Sequence, residues 1–205
     1  MAVDPEHPEA RTLREAADAI GRCGVVALPT DTLYGLAVDP RSPAAVERLY
    51  AVKGRAFNQP VPLLAADQAQ VTSQAGDLTA LGQRLANRFW PGPLTLVVAA
   101  HAGLCARVHA GTGRVAVRVP AHPLARDLAR AAGHPITATS ANVSGMVPAV
   151  TAAEVVAALG DRVDLVLDGG RTPGGLPSTI VDVTGTTPVL VRAGVVPWAR
   201  VLEFA

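Results

Sequence analysis

Two short segments of the chain combine residue types that could bind a small polar ligand. The segment 29–35 follows an apolar stretch and places two threonines and an aspartate side by side at positions 30–32. Hydroxyl and carboxyl groups in a turn can orient a ligand, although they also bond well to the local backbone. Lys53 and Arg55 follow a predicted helix, where two cations can converge on phosphate oxygens or simply complement the helix dipole.

Lys53 is the only lysine in the chain, whose other 17 basic residues are all arginine. An ammonium is a compact point charge and a guanidinium is a planar fork, so the two are not equivalent at a phosphate. The single lysine suggests that position 53 requires an ammonium, although one lysine can also persist by chance.

Two later segments are rich in hydroxyl groups, an amide and glycines. Segment 139–145 carries Ser140, Asn142 and Ser144 at alternate positions, which can present hydroxyls, an amide and backbone N–H groups to an anion. The alternative is a polar loop that leads to the next helix. Segment 169–175 has four glycines around Arg171 and either closes over a ligand or only connects two strands.

Arg114 and Arg118 are four residues apart on a predicted strand. Side chains alternate across a strand, so both project from the same face. An arginine on a strand is also a common surface residue.

The elements that must position these residues are predicted from hydrophobic spacing. Helices are predicted at 11–22, 42–52, 78–89, 123–132 and 151–159, and strands at 25–28, 61–65, 94–100, 115–119, 136–139, 165–167, 179–183 and 189–192. Strands alternate with helices early and follow one another late. This order predicts an α/β fold, a twisted sheet of mixed parallel and antiparallel strands with helices on its faces. Polar loops follow several strand ends, where open α/β sheets place ligands.

Composition excludes several classes of protein. The 205 residues include 17 acidic and 18 basic side chains, and 49% are apolar, which suits one folded domain and excludes disorder. A net charge of +1 and 3% aromatic residues disfavour broad nucleic-acid binding. No apolar run has the length of a membrane helix, residues 1–9 do not resemble a signal peptide, and Cys23 and Cys105 form no disulfide or zinc pattern. We therefore expect a cytoplasmic protein without a membrane segment.

Several familiar motifs are missing. There is no P-loop, and the G-x-G-x-x-A match at 111–116 precedes a predicted strand rather than a helix. There is no G-x-S-x-G elbow and no pair of catalytic carboxylates, and the five histidines are scattered, so no metal site is expected. What remains is hydroxyls, amides and cations, which suit phosphoryl or nucleotidyl transfer.

Taken together and in order, six motifs resemble those of the YrdC/Sua5 family, also called TsaC. They are P-T-D-T-L-Y-G-L at 29–36, K-G-R at 53–55, F-W-P-G-P-L-T at 89–95, V-A-V-R-V-P at 115–120, S-A-N-V-S-G at 140–145 and S-T-I-V-D at 178–182. The likeness extends from about residue 11 to about residue 195. It implies a single YrdC-like domain over 1–205 with a concave, positively charged cleft, without the additional C-terminal domain of longer Sua5 proteins.

The resemblance implies L-threonylcarbamoyladenylate synthase activity. L-Threonine, bicarbonate and ATP would give threonylcarbamoyl-AMP and pyrophosphate, the first step in forming threonylcarbamoyladenosine in tRNA. The product would pass to a tRNA threonylcarbamoyltransferase, with at most a weak contact to tRNA itself. Mg²⁺ is expected to bridge the ATP phosphates, although no carboxylate cluster marks a dedicated metal site.

The resemblance also implies roles for single residues. Lys53 and Arg55 would be catalytic, and the nucleotide would be bound by Lys53, Arg55, Gln59, Ser140, Asn142 and Arg192. Thr32 would contact threonine, and Arg118 would pair with its carboxylate. The cleft would further be lined by Thr30, Tyr34, Arg114, Ser144, Ser178 and Thr179.

Four positions depart from the family pattern, and two other functions are to be weighed. Ala56 stands in place of a proline, Leu64 in place of a histidine found in some members, Pro148 in place of a serine, and Pro177 in place of a glutamate. One alternative is a carbamoyl-adenylating domain of the hydrogenase-maturation type, whose long chains carry zinc-finger and acylphosphatase-like segments that this sequence lacks. The other is a non-catalytic RNA-binding module, which the low charge and seven aromatic residues disfavour.

Overall fold

The computed structural model describes residues 1–205 and contains ten strands and seven helices. The strands are β1 (Val26–Pro29), β2 (Tyr34–Ala37), β3 (Leu63–Leu64), β4 (Leu94–Ala99), β5 (Arg114–Arg118), β6 (Ile136–Thr137), β7 (Thr139–Ser140), β8 (Leu165–Val166), β9 (Thr179–Asp182) and β10 (Val189–Arg192). The helices are α1 (Ala10–Gly21), α2 (Pro43–Lys53), α3 (Gln68–Gln70), α4 (Ala80–Phe89), α5 (Pro123–Ala132), α6 (Ala152–Leu159) and α7 (Trp198–Leu202). A π-helical turn, Val71–Ala75, follows α3, and a 3-10 turn, Gly160–Arg162, follows α6.

The strands form two sheets, each of mixed direction. The smaller has the order β7-β2-β1-β8, in which only the β1–β8 pair is parallel. The larger has the order β10-β9-β4-β5-β3-β6, with parallel pairs β9–β4 and β5–β3. The predicted α/β class with mixed strand direction is confirmed, and the strands are divided between two sheets.

The chain changes sheets at Ala138. The stretch predicted as one strand at 136–139 is two short strands, since β6 pairs with β3 in the larger sheet and β7 pairs with β2 in the smaller one. The change of sheet brings the 139–145 loop to a place where the two sheets meet.

The cations of the K-G-R motif lie at the end of helix α2 and in the loop after it, and residues at both ends of the helix set its boundaries. Ser42 caps its start by accepting a hydrogen bond from the Ala45 N–H, with Pro43 at the first helical position, which agrees with the helix predicted at 42–52. Gly54 ends the helix in the left-handed conformation, with φ 58°. This reversal separates Lys53, in the last turn of the helix, from Arg55, in the loop that follows.

Successive side chains of β1 belong to two different hydrophobic clusters. Ala27 belongs to a cluster of 37 buried residues, and Val26 and Leu28 belong to a second one of 13. The second cluster lies where α1 and α5 pack against β1, through Ile20 and Leu128 among others. No helix combines the length and hydrophobicity needed to cross a membrane.

Strand β2 and helices α3 and α7 were not predicted from the sequence. Strand β2 begins within the 29–36 motif and ends one residue after it. All four of its residues are buried, so it shows no alternation of polar and apolar positions. Tyr34 and Gly35, expected in the loop, are therefore strand residues. Helices α3 and α7 are too short to show helical spacing.

Candidate functional site

A cleft of about 1100 Å³ is lined by residues from both sheets. Its floor is one face of the larger sheet, where β4 contributes Thr95 and Val97 and β5 contributes Arg114, Ala116 and Arg118. These are alternate positions along each strand, so the inference that Arg114 and Arg118 share a face is confirmed. Strand β9 and the residue before it add Ser178, Ile180 and Asp182.

The charge of the cleft is strongly one-sided, although the chain is nearly neutral. Arg55, Arg114, Arg118 and Arg192 all line it, and the only acidic residue that lines it is Asp182. Asp182 is itself paired with Arg114, with 2.9 Å between Oδ2 and Nη1. An anionic ligand would therefore find unpaired positive charge in the cleft.

Lys53 lies behind the wall of the cleft. Its side chain is buried, with 3% of the residue exposed, and Nζ donates to the carbonyl oxygens of Ser140 (2.5 Å) and Asn142 (2.9 Å) and to Asn142 Oδ1 (3.2 Å). Burial, followed by the nearby charge of Arg55, lowers the pKa of Lys53 to about 8. The ammonium thus fixes the loop that follows β7.

The side-chain amide of Asn142 also holds the loop after β7 in place. Oδ1 accepts from the Ser140 hydroxyl at 2.5 Å, and Nδ2 donates to the carbonyl oxygens of Val143 (2.9 Å) and Met146 (2.6 Å). All hydrogen-bonding groups of the Asn142 side chain are therefore used within the protein. Ser140, in contrast, reaches the cleft wall.

Arg55 reaches the cleft from the loop after α2. Its Nη1 donates to Thr139 Oγ1 (3.2 Å) and Nη2 to the Pro60 carbonyl (2.9 Å), while Nε is buried without an acceptor. Burial lowers the pKa of Arg55. A ligand oxygen would stabilise this guanidinium, which has neither a carboxylate partner nor a full set of acceptors.

Arg118 is paired with an acidic residue of the 29–36 motif. Its Nη1 donates to Asp31 Oδ1 at 2.5 Å, and Asp31 Oδ2 accepts from the Ala121 N–H at 3.2 Å. Only 6% of Arg118 is exposed, and burial lowers its pKa. Asp31 is the only protein acceptor of this guanidinium, whose remaining N–H groups have none.

Arg192 is the second cation at this end of the cleft. Its guanidinium donates to the carbonyl and the hydroxyl of Ser178, and the same hydroxyl accepts from Thr95 Oγ1 at 2.8 Å. Burial, followed by the charge of Arg118, lowers the pKa of Arg192. The two guanidinium groups therefore repel each other in the absence of an anion.

The threonines of the 29–36 motif both build a turn and line the cleft. Thr30 Oγ1 donates to the Leu33 carbonyl and accepts from the Thr32 N–H, and the two threonine hydroxyls lie 3.2 Å apart. The two interpretations of this segment are thus compatible, since both threonines face the cleft.

The glycine-rich segment 169–175 is seated against this turn. Tyr34 Oη donates to the Gly170 carbonyl at 2.7 Å, and the Gly174 N–H donates to the Thr32 carbonyl at 2.8 Å. Burial, followed by the negative charge of Asp168, raises the pKa of Tyr34 to about 12. Gly175 itself lines the cleft.

Comparisons with known proteins agree with these motifs. A family model for Sua5, YciO and YrdC proteins, described as "Telomere recombination", matches residues 18–194. The chain belongs to the Sua5/YciO/YrdC family. Threonylcarbamoyl-AMP synthase of Bacillus subtilis is 41% identical over 184 residues, which are 89% of this chain and 53% of the relative. Threonylcarbamoyl-AMP synthase of Idiomarina loihiensis is 38% identical over 173 residues, which are 82% of this chain and 91% of the relative.

A solved structure of a Sua5/YciO/YrdC protein is closely similar. Pyrococcus abyssi Sua5 complexed with L-threonine superposes with a TM-score of 0.93 at 35% identity, over 100% of this chain and 60% of that one. This chain therefore spans little more than half the length of the Bacillus and Pyrococcus relatives.

Five of the expected site residues do not line the cleft of this family member. Thr179 is fully buried, and its hydroxyl exchanges two hydrogen bonds with the backbone of Val196. Ser144 and Gln59 are exposed on their loops, and the Ser144 N–H donates to the Lys53 carbonyl. Lys53 and Asn142 lie behind the wall, whereas all the other expected residues line it; these are Thr30, Thr32, Tyr34, Arg55, Arg114, Arg118, Ser140, Ser178 and Arg192.

Four residues that contribute to the site received no individual role from the sequence. Asp31 and Asp182 pair with cleft arginines, Thr95 bonds to Ser178, and Thr139 accepts from Arg55. All four lie in motifs or segments identified from the sequence, at 29–36, 89–95, 139–145 and 178–182, but their partners are distant in the chain. Three departures from the family pattern, Leu64, Pro148 and Pro177, also line the cleft and make part of its wall apolar.

The residues present do not form a protein-held metal site. No three His, Cys, Asp or Glu side chains converge anywhere in the structure. The one cleft carboxylate, Asp182, accepts from Thr184 at Oδ1 and from Arg114 at Oδ2. A divalent cation in this cleft would have to be held by its ligand's own oxygens.

Proposed function

We propose that this chain is an L-threonylcarbamoyladenylate synthase, which converts L-threonine, bicarbonate and ATP into threonylcarbamoyl-AMP and pyrophosphate. The observation that carries the proposal is the cleft with four arginines, a row of hydroxyls and a single, already paired carboxylate. Such a site suits a polyphosphate together with a second, smaller anion. The name of the Bacillus and Idiomarina relatives and the L-threonine complex of the Pyrococcus relative support the same substrates.

The reaction requires positioning rather than a protein nucleophile. The threonine nitrogen bonds to the carbon of bicarbonate with loss of water, and an oxygen of the resulting carbamate attacks the α-phosphorus of ATP. The bond to the bridging oxygen breaks and pyrophosphate leaves. Arginines that hold the attacking and leaving groups in line, and that balance the charge on the phosphates, supply the catalysis.

The positions of the side chains support the following roles. Arg118 would bind the threonine carboxylate beside the Thr32 hydroxyl. Arg55, with its unpartnered Nε, and the Ser140 hydroxyl would contact the phosphates. Lys53 and Asn142 would hold the Ser140 loop and add positive field from behind. Arg192 would complete the nucleotide contacts.

The product is a reactive mixed anhydride that must be consumed by a second enzyme. We assign that step to a tRNA threonylcarbamoyltransferase, and a weak direct contact with tRNA is part of the same proposal. Both steps would take place in the cytoplasm, where the free thiols of Cys23 and Cys105 would stay reduced. Mg²⁺ would enter with ATP, and residues 1–205 would act as one catalytic domain.

The proposal is tested by pyrophosphate release from ATP and bicarbonate with and without L-threonine. We expect threonine-dependent release and a threonylcarbamoyl adenylate detectable by mass spectrometry. Arg55→Met should lower the rate at least 100-fold, whereas Arg11→Met, which removes an exposed cation that makes no ion pair, should not change it. Release that does not depend on threonine would refute the proposal.

The same assay separates the two alternatives. A carbamoyl-adenylating domain would release pyrophosphate when ammonium replaces threonine, because ammonia and bicarbonate form carbamate, whose oxygen attacks the α-phosphorus of ATP. A non-catalytic RNA-binding module would release none with either substrate, and would bind tRNA in a filter assay.

A further inference from the structure

Asp31 is a partly buried carboxylate of the cleft region that the reaction itself does not use. It does not line the cleft, and 13% of its side chain is exposed. It lies against Arg118 on the protein side, with its second oxygen fixed by the backbone N–H of Ala121. Arg118 therefore offers the cleft only the N–H groups that Asp31 leaves free.

Two groups of cations lie at the cleft, one formed by Lys53 and Arg55 and the other by Arg118 and Arg192. They differ in how much of their positive charge is balanced by carboxylates. Lys53 and Arg55 form no ion pair with any carboxylate, so their region carries two uncompensated charges. Arg118 and Arg192 also contribute two positive charges, but Asp31 cancels one of them. The first region matches the multiple charges of a polyphosphate. The second region has one net positive charge, which suits one carboxylate at Arg118 beside the part of the nucleotide that Arg192 would contact.

We propose that Asp31 determines which anion Arg118 accepts, keeping polyphosphate away from this guanidinium and reserving it for the single charge of an amino-acid carboxylate. The inference rests on the proposed function, since it assigns the carboxylate of threonine to Arg118. Repulsion from a fixed carboxylate increases with the charge of the ligand, so a polyphosphate loses more affinity than a monocarboxylate. The same contact also fixes the plane of the guanidinium, which favours two-point binding of a carboxylate.

Removal of the Asp31 charge should therefore shift preference toward polyphosphate. Loss of the negative charge allows the polyphosphate to bind at Arg118. Loss of the contact that orients the guanidinium weakens binding of the carboxylate, so both effects favour polyphosphate. Asp31→Asn and Asp31→Ser supply two uncharged variants, and Asp31→Glu keeps the charge. Asp127→Asn, in an exposed Asp–Arg pair on α5, is the matched control.

The experiment is calorimetric titration with inorganic pyrophosphate in the presence and absence of L-threonine. We expect the wild-type protein, Asp31→Glu and Asp127→Asn to bind one pyrophosphate, with the affinity for threonine changed less than twofold by pyrophosphate. The uncharged Asp31 variants should bind two, and pyrophosphate should weaken their threonine binding at least threefold. Circular dichroism identifies the folded variants, and either folded uncharged variant is sufficient.

Three results would overturn the inference. A folded uncharged variant that binds one pyrophosphate would do so, as would competition between pyrophosphate and threonine in the wild-type protein. A charge-retaining Asp31→Glu variant that behaves like Asp31→Asn would show that only the shape of the side chain matters. Failure of the proposed function looks different, since the wild-type protein would then neither bind threonine nor release pyrophosphate with it.

Discussion

Replacement of Lys53 by methionine should change how the stability of the protein depends on pH. Lys53→Met keeps most of the length of the side chain and removes the ammonium that bonds to Ser140 and Asn142. In the folded protein the pKa of Lys53 is about 8, against 10.5 for an ordinary lysine. Between these two values the unfolded chain holds a proton that the folded protein has released.

The sign and the size of the effect follow from this difference. A group that binds more protons in the unfolded state makes the folded state more stable as pH rises. Since one pKa unit corresponds to about 1.4 kcal/mol, Lys53 should add about 2.5 kcal/mol of stability between pH 7 and pH 10. Lys53→Met should lack this increase. All other titratable groups are common to both proteins, so their contributions cancel in the comparison.

The assay is urea denaturation at pH 7 and pH 10, followed by circular dichroism. The quantity of interest is the difference in free energy of unfolding between the wild-type protein and Lys53→Met, and Arg11→Met controls for the loss of a surface cation. At pH 7 we also expect Lys53→Met to turn over at least tenfold more slowly, because the Ser140 loop loses its anchor. If the difference in free energy of unfolding between the two proteins is the same at pH 7 and at pH 10, the reasoning that burial disfavours the charged lysine is refuted.

Three further substitutions test the placement of individual side chains. Thr179→Val removes two buried hydrogen bonds to Val196 and should lower the free energy of unfolding, measured in urea, by about 1–3 kcal/mol. KM for ATP and for threonine should stay the same. A changed KM would show that Thr179 contacts a substrate. Tyr34→Phe removes the bond to Gly170 and should cost about 1 kcal/mol and speed proteolysis of the 169–175 segment, whereas unaltered cleavage would mean that this bond does not hold the segment. Arg118→Lys should raise KM for threonine at least tenfold and leave KM for ATP within twofold, because an ammonium cannot bond to Asp31 and make a two-point carboxylate contact at once. Equal effects on both KM values would place Arg118 at the nucleotide instead.

The sequence by itself determined the class of fold and pointed to most of the polar residues that line or support the cleft. Local signals were sufficient for the start of α2, for the start of α6 and for the shared face of Arg114 and Arg118. These features depend on residues within a few positions of each other, where spacing and hydrogen-bonding chemistry are decisive. The six motifs in order identified the family, since each motif contributes to one common cleft.

The tertiary structure alone decided which of these side chains reach the cleft and which support it. Lys53 and Asn142 look like ligand-binding residues in the sequence, yet they bond to each other across 89 positions. Asp31 and Arg118 are 87 positions apart, and nothing in either local pattern indicates their pairing. Strand β2 and the change of sheet at Ala138 were missed for the same reason. Pairing between distant strands, and the burial that accompanies it, sets the partners and the charge balance of these groups, and no spacing along the chain encodes that.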